Sequence, residues 1–210
     1  MVDRNAPSSA DIVIVGGAVM GSSVAYHLAN DPHFKGRVVV IEKDPTYKFS
    51  ASALSAASIR QQFSTSVNIR ISLYGIDFLR NIGEHLDVDG EKPAIDLHEG
   101  GYLYLATDAG REILKSNHVL QGNEGADIAL MERDALHKKF PWLQLDDIAL
   151  GAWGQTGEGW FDGWGLMQAF RKKARALGVT YIEGEVVDVE QTSGTISAVK
   201  LKDGSRIACG

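Results

Sequence analysis

The feature that most constrains this chain is a glycine-bearing turn between an apolar segment and a helical pattern. Residues 12–15 are continuously apolar, as a parallel strand covered on both faces would be. The turn at residues 16–21 follows directly, and a helical pattern then runs to Asn30, before Pro32. A second apolar run occupies residues 38–41. This order of strand, glycine turn, helix and strand is typical of a site that binds a dinucleotide.

The chemistry of the turn agrees with this interpretation. Backbone amides of such a turn can approach a pyrophosphate, and the positive end of the following helix attracts it. Glu42 lies about 20 residues beyond the turn, where a carboxylate can accept hydrogen bonds from an adenosine ribose. Its charge disfavours a 2′-phosphate, so NADP is the least favoured dinucleotide. Ala18 departs from the G-x-G-x-x-G pattern, and we expect the site to tolerate its methyl group. The alternative is an ordinary glycine-bearing turn.

Length and composition favour a globular protein of one large or two small domains. The 210 residues can bury a sizeable core, and no apolar run approaches the length of a membrane span. A net charge of −6 argues against a nucleic-acid partner, and the basic cluster at residues 171–175 is expected to be the solvated face of a helix. A single cysteine, Cys209, excludes an internal disulfide and fits a reducing compartment, so we expect a cytoplasmic location. Residues 1–10 lack a targeting pattern and are expected to form a disordered lead.

The segment after the second apolar run is rich in small residues. Residues 51–58 are alanines and serines apart from one leucine, and they cannot build much core. Such residues suit a backbone that must lie against something flat or charged. Because this segment follows the glycine turn, we interpret it as a second segment that contacts the cofactor rather than as a flexible loop. Arg60 is the cation of this segment, and its alternative role is that of an ordinary surface arginine.

The remainder of the chain predicts further helices and strands. An amphipathic helix is predicted over residues 66–86, packed on the sheet through Val67, Ile71, Tyr74, Phe78 and Ile82. Strands are predicted at residues 94–98, 102–106, 127–131 and 148–153, with helices after Thr107 and over residues 132–139. They indicate a mixed or antiparallel sheet. A helix from Asp162 to Gly178 precedes strands at residues 181–182, 186–190, 195–202 and 206–209, with hairpin turns at 193–194 and 203–204.

Four stretches resemble the FAD-dependent oxidoreductases of the D-amino-acid oxidase, glycine oxidase and sarcosine oxidase superfamily. They are residues 14–26, 58–64, 68–72, and 139–142 together with 158–162. The resemblance spans nearly all of residues 10–210, and it is strongest to a mitochondrial group linked to the assembly of respiratory complex I. It implies an α/β fold with a Rossmann-like, glutathione-reductase-type FAD-binding domain over residues 11–90 and 157–210. A mixed or antiparallel α+β substrate segment would be inserted at residues 91–156.

The resemblance also assigns cofactor roles by position. The FAD diphosphate would contact Gly16, Gly17, Ala18, Val19, Met20 and Gly21, and a second time Ser50, Ser52 and Ala53. The adenosine would contact Glu42, Lys43 and the backbone of Val186. The flavin ring would contact Ala57, Ser58, Ile59 and Arg60. Covalent members often use a histidine in the small-residue loop, and none lies between Phe49 and Phe63, so we expect non-covalent FAD. No metal site is predicted.

The implied function is oxidation of an amine or amino acid, with a hydride moving from the carbon beside nitrogen to flavin N5. Arg60 is the candidate catalytic residue, as a cation near flavin N1. Family members are nearly twice this length, so the chain resembles an N-terminal half. We expect it to be inactive alone, and either to self-associate or to pair with a C-terminal half. Two alternatives stay open, an FAD-binding assembly or scaffold protein without turnover and an NAD-dependent reductase.

Overall fold

A computed structural model describes residues 7–210, which divide into two compact units. The first unit contains the described residues up to Ser55, together with Gly83–Ile95 and Gly163–Gly210, and the second contains Ala56–Ile82 and Asp96–Asp162. The predicted α/β class is confirmed, with a parallel sheet in the first unit. The predicted domain boundaries, after residues 10, 90 and 156, stay a prediction.

The secondary structure follows the predicted order closely. Along residues 7–210 the elements are β1 (Ile12–Val15), α1 (Val19–Asn30), β2 (Val38–Glu42), β3 (Ser58–Ile59), α2 (Ser66–Arg80), α3 (Ile82–His85), β4 (Leu103–Ala106), α4 (Arg111–Asn123), β5 (Ile128–Met131), α5 (Arg133–Lys139), β6 (Leu150–Gly154), β7 (Gly159–Trp160), α6 (Gly163–Ala176), β8 (Thr180–Glu183), β9 (Val186–Thr192), β10 (Thr195–Leu201) and β11 (Arg206–Ala208). A short 3₁₀ helix, Asp108–Gly110, precedes α4.

The parallel sheet of the first unit has the strand order β1-β2-β8. The central strand β2 is buried from Val38 to Ile41, as its apolar run predicts. The prediction that β1 is covered on both faces is wrong at Val15, which is 61% exposed. In this sheet β1 lies at the edge and pairs with β2 alone, so its carboxyl end has fewer neighbours than the end of β2.

A second, antiparallel sheet completes the core of the first unit. Its strand order is β11-β10-β9, and Val199, Leu201 and Ile207 pack against Ile41 and Ile182 of the parallel sheet. Both predicted hairpin turns are confirmed, and left-handed backbone occurs at Ser193, Gly194 and Gly204. Helix α6 packs against α1. It ends as predicted before Gly178, which has φ +95°, and the amide of Val179 donates to Ala174 O at 3.0 Å.

The predicted disordered lead is only partly described. Residues 1–6 lie outside the described residues. Ser9 forms a parallel bridge with Ala208, and the amide of Ala10 donates to Ala208 O at 2.9 Å. Ala10 is buried in the core of the first unit. Ser9 and Ala10 therefore contribute to the fold of the first unit.

The second unit contains the antiparallel sheet β4-β6-β5 and the short pair β3-β7. Strands predicted at 102–106, 127–131 and 148–153 are confirmed as β4, β5 and β6. The strand predicted at residues 94–98 is wrong, because Asp96 has φ +47° and interrupts the extended backbone, leaving a single bridge from His98 to Trp160. The predicted cap at Thr107 makes no side-chain hydrogen bond.

The helix predicted over residues 66–86 is divided at Asn81 into α2 and α3, and of its predicted packing residues only Phe78 and Ile82 are buried. Val67, Ile71 and Tyr74, expected to pack on the sheet, are exposed. The buried residues of α2 are Ile69, Ile76, Phe78 and Leu79, and Ile69 packs with residues of β5 and β6. The helix carries apolar residues on more than one face, so the sheet rather than the periodicity decides which face is covered.

Within the described part of the chain, no helix has both the length and the apolar character needed to cross a membrane.

Candidate functional site

The glycine turn between β1 and α1 depends on its glycines for distinct reasons. Gly16 has φ +95°, in the left-handed region that favours glycine. A β-carbon on Gly21 would overlap the carbonyl oxygen of Gly16, so this position needs hydrogen for close backbone packing. A β-carbon on Gly17 would lie 2.9 Å from the Tyr47 hydroxyl. Ala18 precedes α1 with extended backbone, φ −69° and ψ −167°, which an alanine adopts without strain.

Glu42 lies beside this turn, as its position at the end of β2 predicts. Its Oε2 accepts a hydrogen bond from the Gly17 amide at 2.8 Å, and its Oε1 accepts one from the Asp44 amide at 2.9 Å. The amide of Val19, at the start of α1, donates to Ser52 Oγ at 3.1 Å. Each carboxylate oxygen of Glu42 has further capacity to accept. The structure therefore brings together Glu42, Gly17, Val19 and Ser52 of the predicted diphosphate and ribose contacts.

Two linked hydrogen bonds support the turn from behind, and the sequence did not predict them. The fully buried hydroxyl of Ser22 donates to Gly17 O at 2.6 Å, and the Tyr181 hydroxyl donates to Ser22 Oγ at 3.0 Å. The Arg171 guanidinium lies 5.4 Å from the ring centroid of Tyr47 and 5.7 Å from that of Tyr181. The basic cluster of α6 is therefore more than a solvated face, because it also packs on the rings that support the turn.

The two tyrosines of this cluster are held in their neutral forms. Burial raises the pKa of the Tyr47 phenol, and the nearby Arg171 charge partly opposes the rise. Burial likewise raises the pKa of Tyr181, opposed by its hydrogen bond with Ser22 and by Arg171 and Arg175. Both phenols therefore keep their protons at neutral pH, as the hydrogen bond from Tyr181 to Ser22 requires.

A cavity of about 750 Å³ opens in front of the turn. Six of the predicted cofactor residues line it, namely Gly16, Ala18, Glu42, Lys43, Ser50 and Val186. Gly17, Val19, Met20, Gly21, Ser52 and Ala53 are close in sequence to this wall but do not line the cavity. Of these, Met20 is exposed, and the Ala53 amide donates to Ser50 Oγ at 3.2 Å.

The predicted flavin-ring residues Ala57, Ser58, Ile59 and Arg60 belong to the second unit. There β3 pairs with β7, and Ala57, with φ +47°, accepts a hydrogen bond from the Phe161 amide at 3.0 Å. Arg60 is exposed, and its Nη1 donates to the Tyr104 hydroxyl at 2.6 Å. The guanidinium also lies 4.8 Å from the ring centroid of Phe63. Among the described residues, Arg60 is therefore held by the aromatic side chains of Tyr104 and Phe63.

Glu158 is a buried residue whose role the sequence analysis missed. It has no exposed surface, and its Oε1 accepts hydrogen bonds from the amides of Gln61 at 2.6 Å and Gln62 at 3.1 Å. Its Oε2 accepts another from Gln62 Nε2 at 2.9 Å. A β-carbon on Gly154 would overlap this carboxylate. The available signal was a charged residue among closely spaced glycines, at positions 154, 157 and 159.

The chain's residues fit the nucleotide part of a dinucleotide cofactor. The turn packs its backbone so closely that Gly21 has no room for a β-carbon, a carboxylate ends β2, and the cavity has the volume of a small-molecule site. Among residues 7–210, no group of three or more histidine, cysteine, aspartate or glutamate side chains could hold a metal ion. The individual contacts assigned by position stay predictions.

Comparisons with known proteins agree with this geometry. A family model described as "DAO: FAD dependent oxidoreductase" matches residues 11–209. FAD-dependent oxidoreductase domain-containing protein 1 of Xenopus laevis is 48% identical over 185 residues, which cover 87% of this chain and 37% of that protein. The mitochondrial dimethylglycine dehydrogenase of Rattus norvegicus is 29% identical over 81% of this chain and 19% of its own length.

Solved structures give the same fold. The L-proline dehydrogenase of P. horikoshii superposes with a TM-score of 0.80 at 25% identity, covering 98% of this chain and 52% of that one. The glycine oxidase of Geobacillus kaustophilus gives a TM-score of 0.75 at 22% identity, covering 97% and 54%. The chain thus spans about half the length of these structures, and 37% of the length of the Xenopus laevis relative.

Proposed function

The chain belongs to the DAO family of FAD-dependent oxidoreductases, and from this premise we propose that the intact protein oxidises an amine or amino acid. FAD, the cofactor of the family, would when bound accept at N5 a hydride from the carbon beside the substrate nitrogen. The supporting observation is the likeness to the L-proline dehydrogenase of P. horikoshii, an enzyme named for an amino-acid substrate, over 98% of this chain.

The first unit would bind the adenosine diphosphate part of the cofactor. The turn from Gly16 to Gly21 places backbone rather than side chains against the diphosphate, and the start of α1 adds its positive dipole. Glu42 would accept hydrogen bonds from the ribose hydroxyls with the lone pairs that the Gly17 and Asp44 amides leave. The residues Ser22 and Tyr181 would keep the turn in this geometry.

Arg60 would act on the charge of the flavin. A fixed cation near N1 stabilises the negative charge that develops there when the ring is reduced. The Tyr104 hydroxyl and the Phe63 ring restrict the guanidinium, so less side-chain entropy is lost when it makes its contact. Substrate contacts are expected largely in the part of the longer relatives that this chain does not span, and we expect the 210-residue chain alone not to turn over.

The amine assignment is tested with the intact protein loaded with FAD and mixed anaerobically with L-proline, glycine, sarcosine and dimethylglycine. We expect at least one of them to remove the absorbance of the oxidised flavin. The matched control is 2-aminoisobutyric acid, which has no hydrogen on the carbon beside nitrogen and cannot supply a hydride. A flavin that none of the amines reduces, but that dithionite does, would contradict the assignment and favour an FAD-binding scaffold without turnover.

We propose that the FAD is held without a covalent bond, since no histidine lies between Phe49 and Phe63. Acid precipitation of the loaded protein tests this directly. The flavin is expected in the supernatant, whereas flavin that stays with the pellet after washing would show a covalent link.

A further inference from the structure

Phe49 places an exposed aromatic ring in the wall of the cavity in front of the glycine turn. Its side chain lines that cavity and is 75% exposed, although phenylalanine is among the residues most often buried. The neighbouring Lys48 places its Nζ 5.4 Å from the ring centroid. Among the described residues that line the cavity, one other has an aromatic ring, Tyr47.

The two rings have different surroundings. Tyr47 is 3% exposed, its hydroxyl would lie 2.9 Å from a β-carbon on Gly17, and the Arg171 guanidinium lies over its ring. Tyr47 is thus used by the fold itself to support the turn. Phe49 contributes little buried surface to the unit, so its apolar face is available to a molecule in the cavity.

The cavity wall contains residues expected to contact the diphosphate and the ribose. Gly16 and Ala18 belong to the turn expected to face the diphosphate, and Glu42 to the position expected to face the ribose. Beyond the ribose, the next group of an adenine dinucleotide is its base, which presents a flat, uncharged π-face. Several apolar side chains line the cavity, and of its two aromatic rings that of Phe49 is the exposed one, so Phe49 can offer such a base an aromatic face.

We propose that Phe49 stacks on the adenine ring of FAD. This inference rests on the proposed use of the cavity as the FAD site, and it assigns the adenine end of the cofactor to a named side chain. Stacking of a base on an aromatic side chain changes a dissociation constant by about tenfold. The other π-system of FAD is the flavin itself, and the two possibilities give opposite results with ligands that carry only one of the rings.

The experiment measures the dissociation constants of FAD, ADP and FMN for the 210-residue chain by isothermal titration calorimetry. Phe49→Ala is expected to raise the dissociation constants of FAD and ADP by about tenfold and to leave that of FMN unchanged. Phe49→Trp is expected to restore FAD and ADP affinity, because tryptophan also stacks on bases. Since Phe49 is exposed, its substitution should leave the urea midpoint of unfolding unchanged.

Leu54→Ala is the matched control. Leu54 is also an apolar residue of the same loop, is 72% exposed, and does not line the cavity, so its removal should change none of the three constants. The stacking role would be overturned if Phe49→Ala left the affinity for ADP unchanged, or if it lowered the affinity for FMN as much as that for FAD. Neither result would contradict the FAD site itself. If the unsubstituted chain bound neither ADP nor FAD, both the assignment of the cavity to FAD and the stacking role of Phe49 would be overturned.

Discussion

Gly21 packs against the backbone of Gly16 in the turn of the candidate site. A β-carbon on Gly21 would overlap the carbonyl oxygen of Gly16, and that atom is backbone, which cannot rotate away as a side chain would. Gly16 itself adopts φ +95°. An alanine at position 21 would therefore force β1 and α1 apart at the point where the diphosphate is expected.

Gly21→Ala is predicted to weaken FAD binding by at least tenfold and to lower the free energy of unfolding by about 1–3 kcal/mol, because the added methyl overpacks the turn. Calorimetric titration and urea unfolding measure the two effects. The matched control is Gly122→Ala in α4, where a β-carbon meets no atom within 4 Å and should stabilise the helix by about 0.5–1 kcal/mol. Unchanged FAD affinity in Gly21→Ala would contradict the role given to the turn.

Arg60→Ala, made in the intact protein, is predicted to lower FAD affinity or turnover by about tenfold or more, because a charge-assisted contact to the flavin would be lost. Arg70→Ala is the control, since Arg70 is an exposed arginine of the same unit that pairs with Glu124. If Arg60→Ala left both FAD affinity and turnover unchanged, Arg60 would be an ordinary surface arginine.

Local sequence predicted most of the secondary-structure elements, but it did not predict which faces and side chains of these elements make distant contacts. The order of β1, the glycine turn, α1 and β2 follows from neighbouring residues, and so does the end of α6 at Gly178. The covered face of α2 does not, because Val67 and Ile71 are spaced as regularly as Ile69 and Ile76. The partners of Glu158 lie 96 and 97 positions away, so no local pattern indicates them.

Glu158 ties the segment that follows β3 to the loop before β7. Its carboxylate accepts hydrogen bonds from the backbone amides of Gln61 and Gln62. The side-chain amide of Gln62 donates to the same carboxylate and to Tyr102 O. These residues are buried, so water cannot replace the lost acceptor when the carboxylate is removed. The segment that carries Arg60 therefore depends on one side chain far along the chain.

Glu158→Ala is predicted to lower the free energy of unfolding by about 3 kcal/mol or more, because it leaves buried donors without an acceptor. Glu158→Gln should be less severe, since one amide oxygen can still accept from the backbone. Urea unfolding measures both, with Glu112→Ala as the control because that residue pairs with Lys115 at the surface. A loss no larger in Glu158→Ala than in Glu112→Ala would show that the buried carboxylate does not hold the segment.

Among residues 7–210, the first unit has exposed apolar residues near an edge strand of its parallel sheet. Within this described part of the chain, β1 pairs on one side only, Val15 at its end is exposed, and α1 exposes Val24. The chain also spans only 37% of the length of the Xenopus laevis relative. An open edge with apolar neighbours is a template for pairing with another chain. The predicted cytoplasmic location and the absence of a nucleic-acid partner stay predictions.

We predict that the chain self-associates as its concentration is raised, and that Val15→Lys reduces this because a charge on an edge strand opposes pairing. Multi-angle light scattering, without added cofactor, measures the molar mass of the unsubstituted chain and of Val15→Lys. Val119→Lys is the control, since it places the same charge at an exposed valine of α4. A chain that is monomeric throughout the concentration range would contradict the prediction.

We propose that FAD is held by the turn from Gly16 to Gly21, by Glu42 and by the cavity that they border. The most direct test of this proposal is an absorbance scan of the purified 210-residue chain after FAD has been added and the excess removed, with Gly21→Ala treated identically. We predict flavin bands that stay with the chain and are absent from Gly21→Ala. A colourless chain, or equal flavin retained by both proteins, would contradict the claim that these residues form the cofactor site.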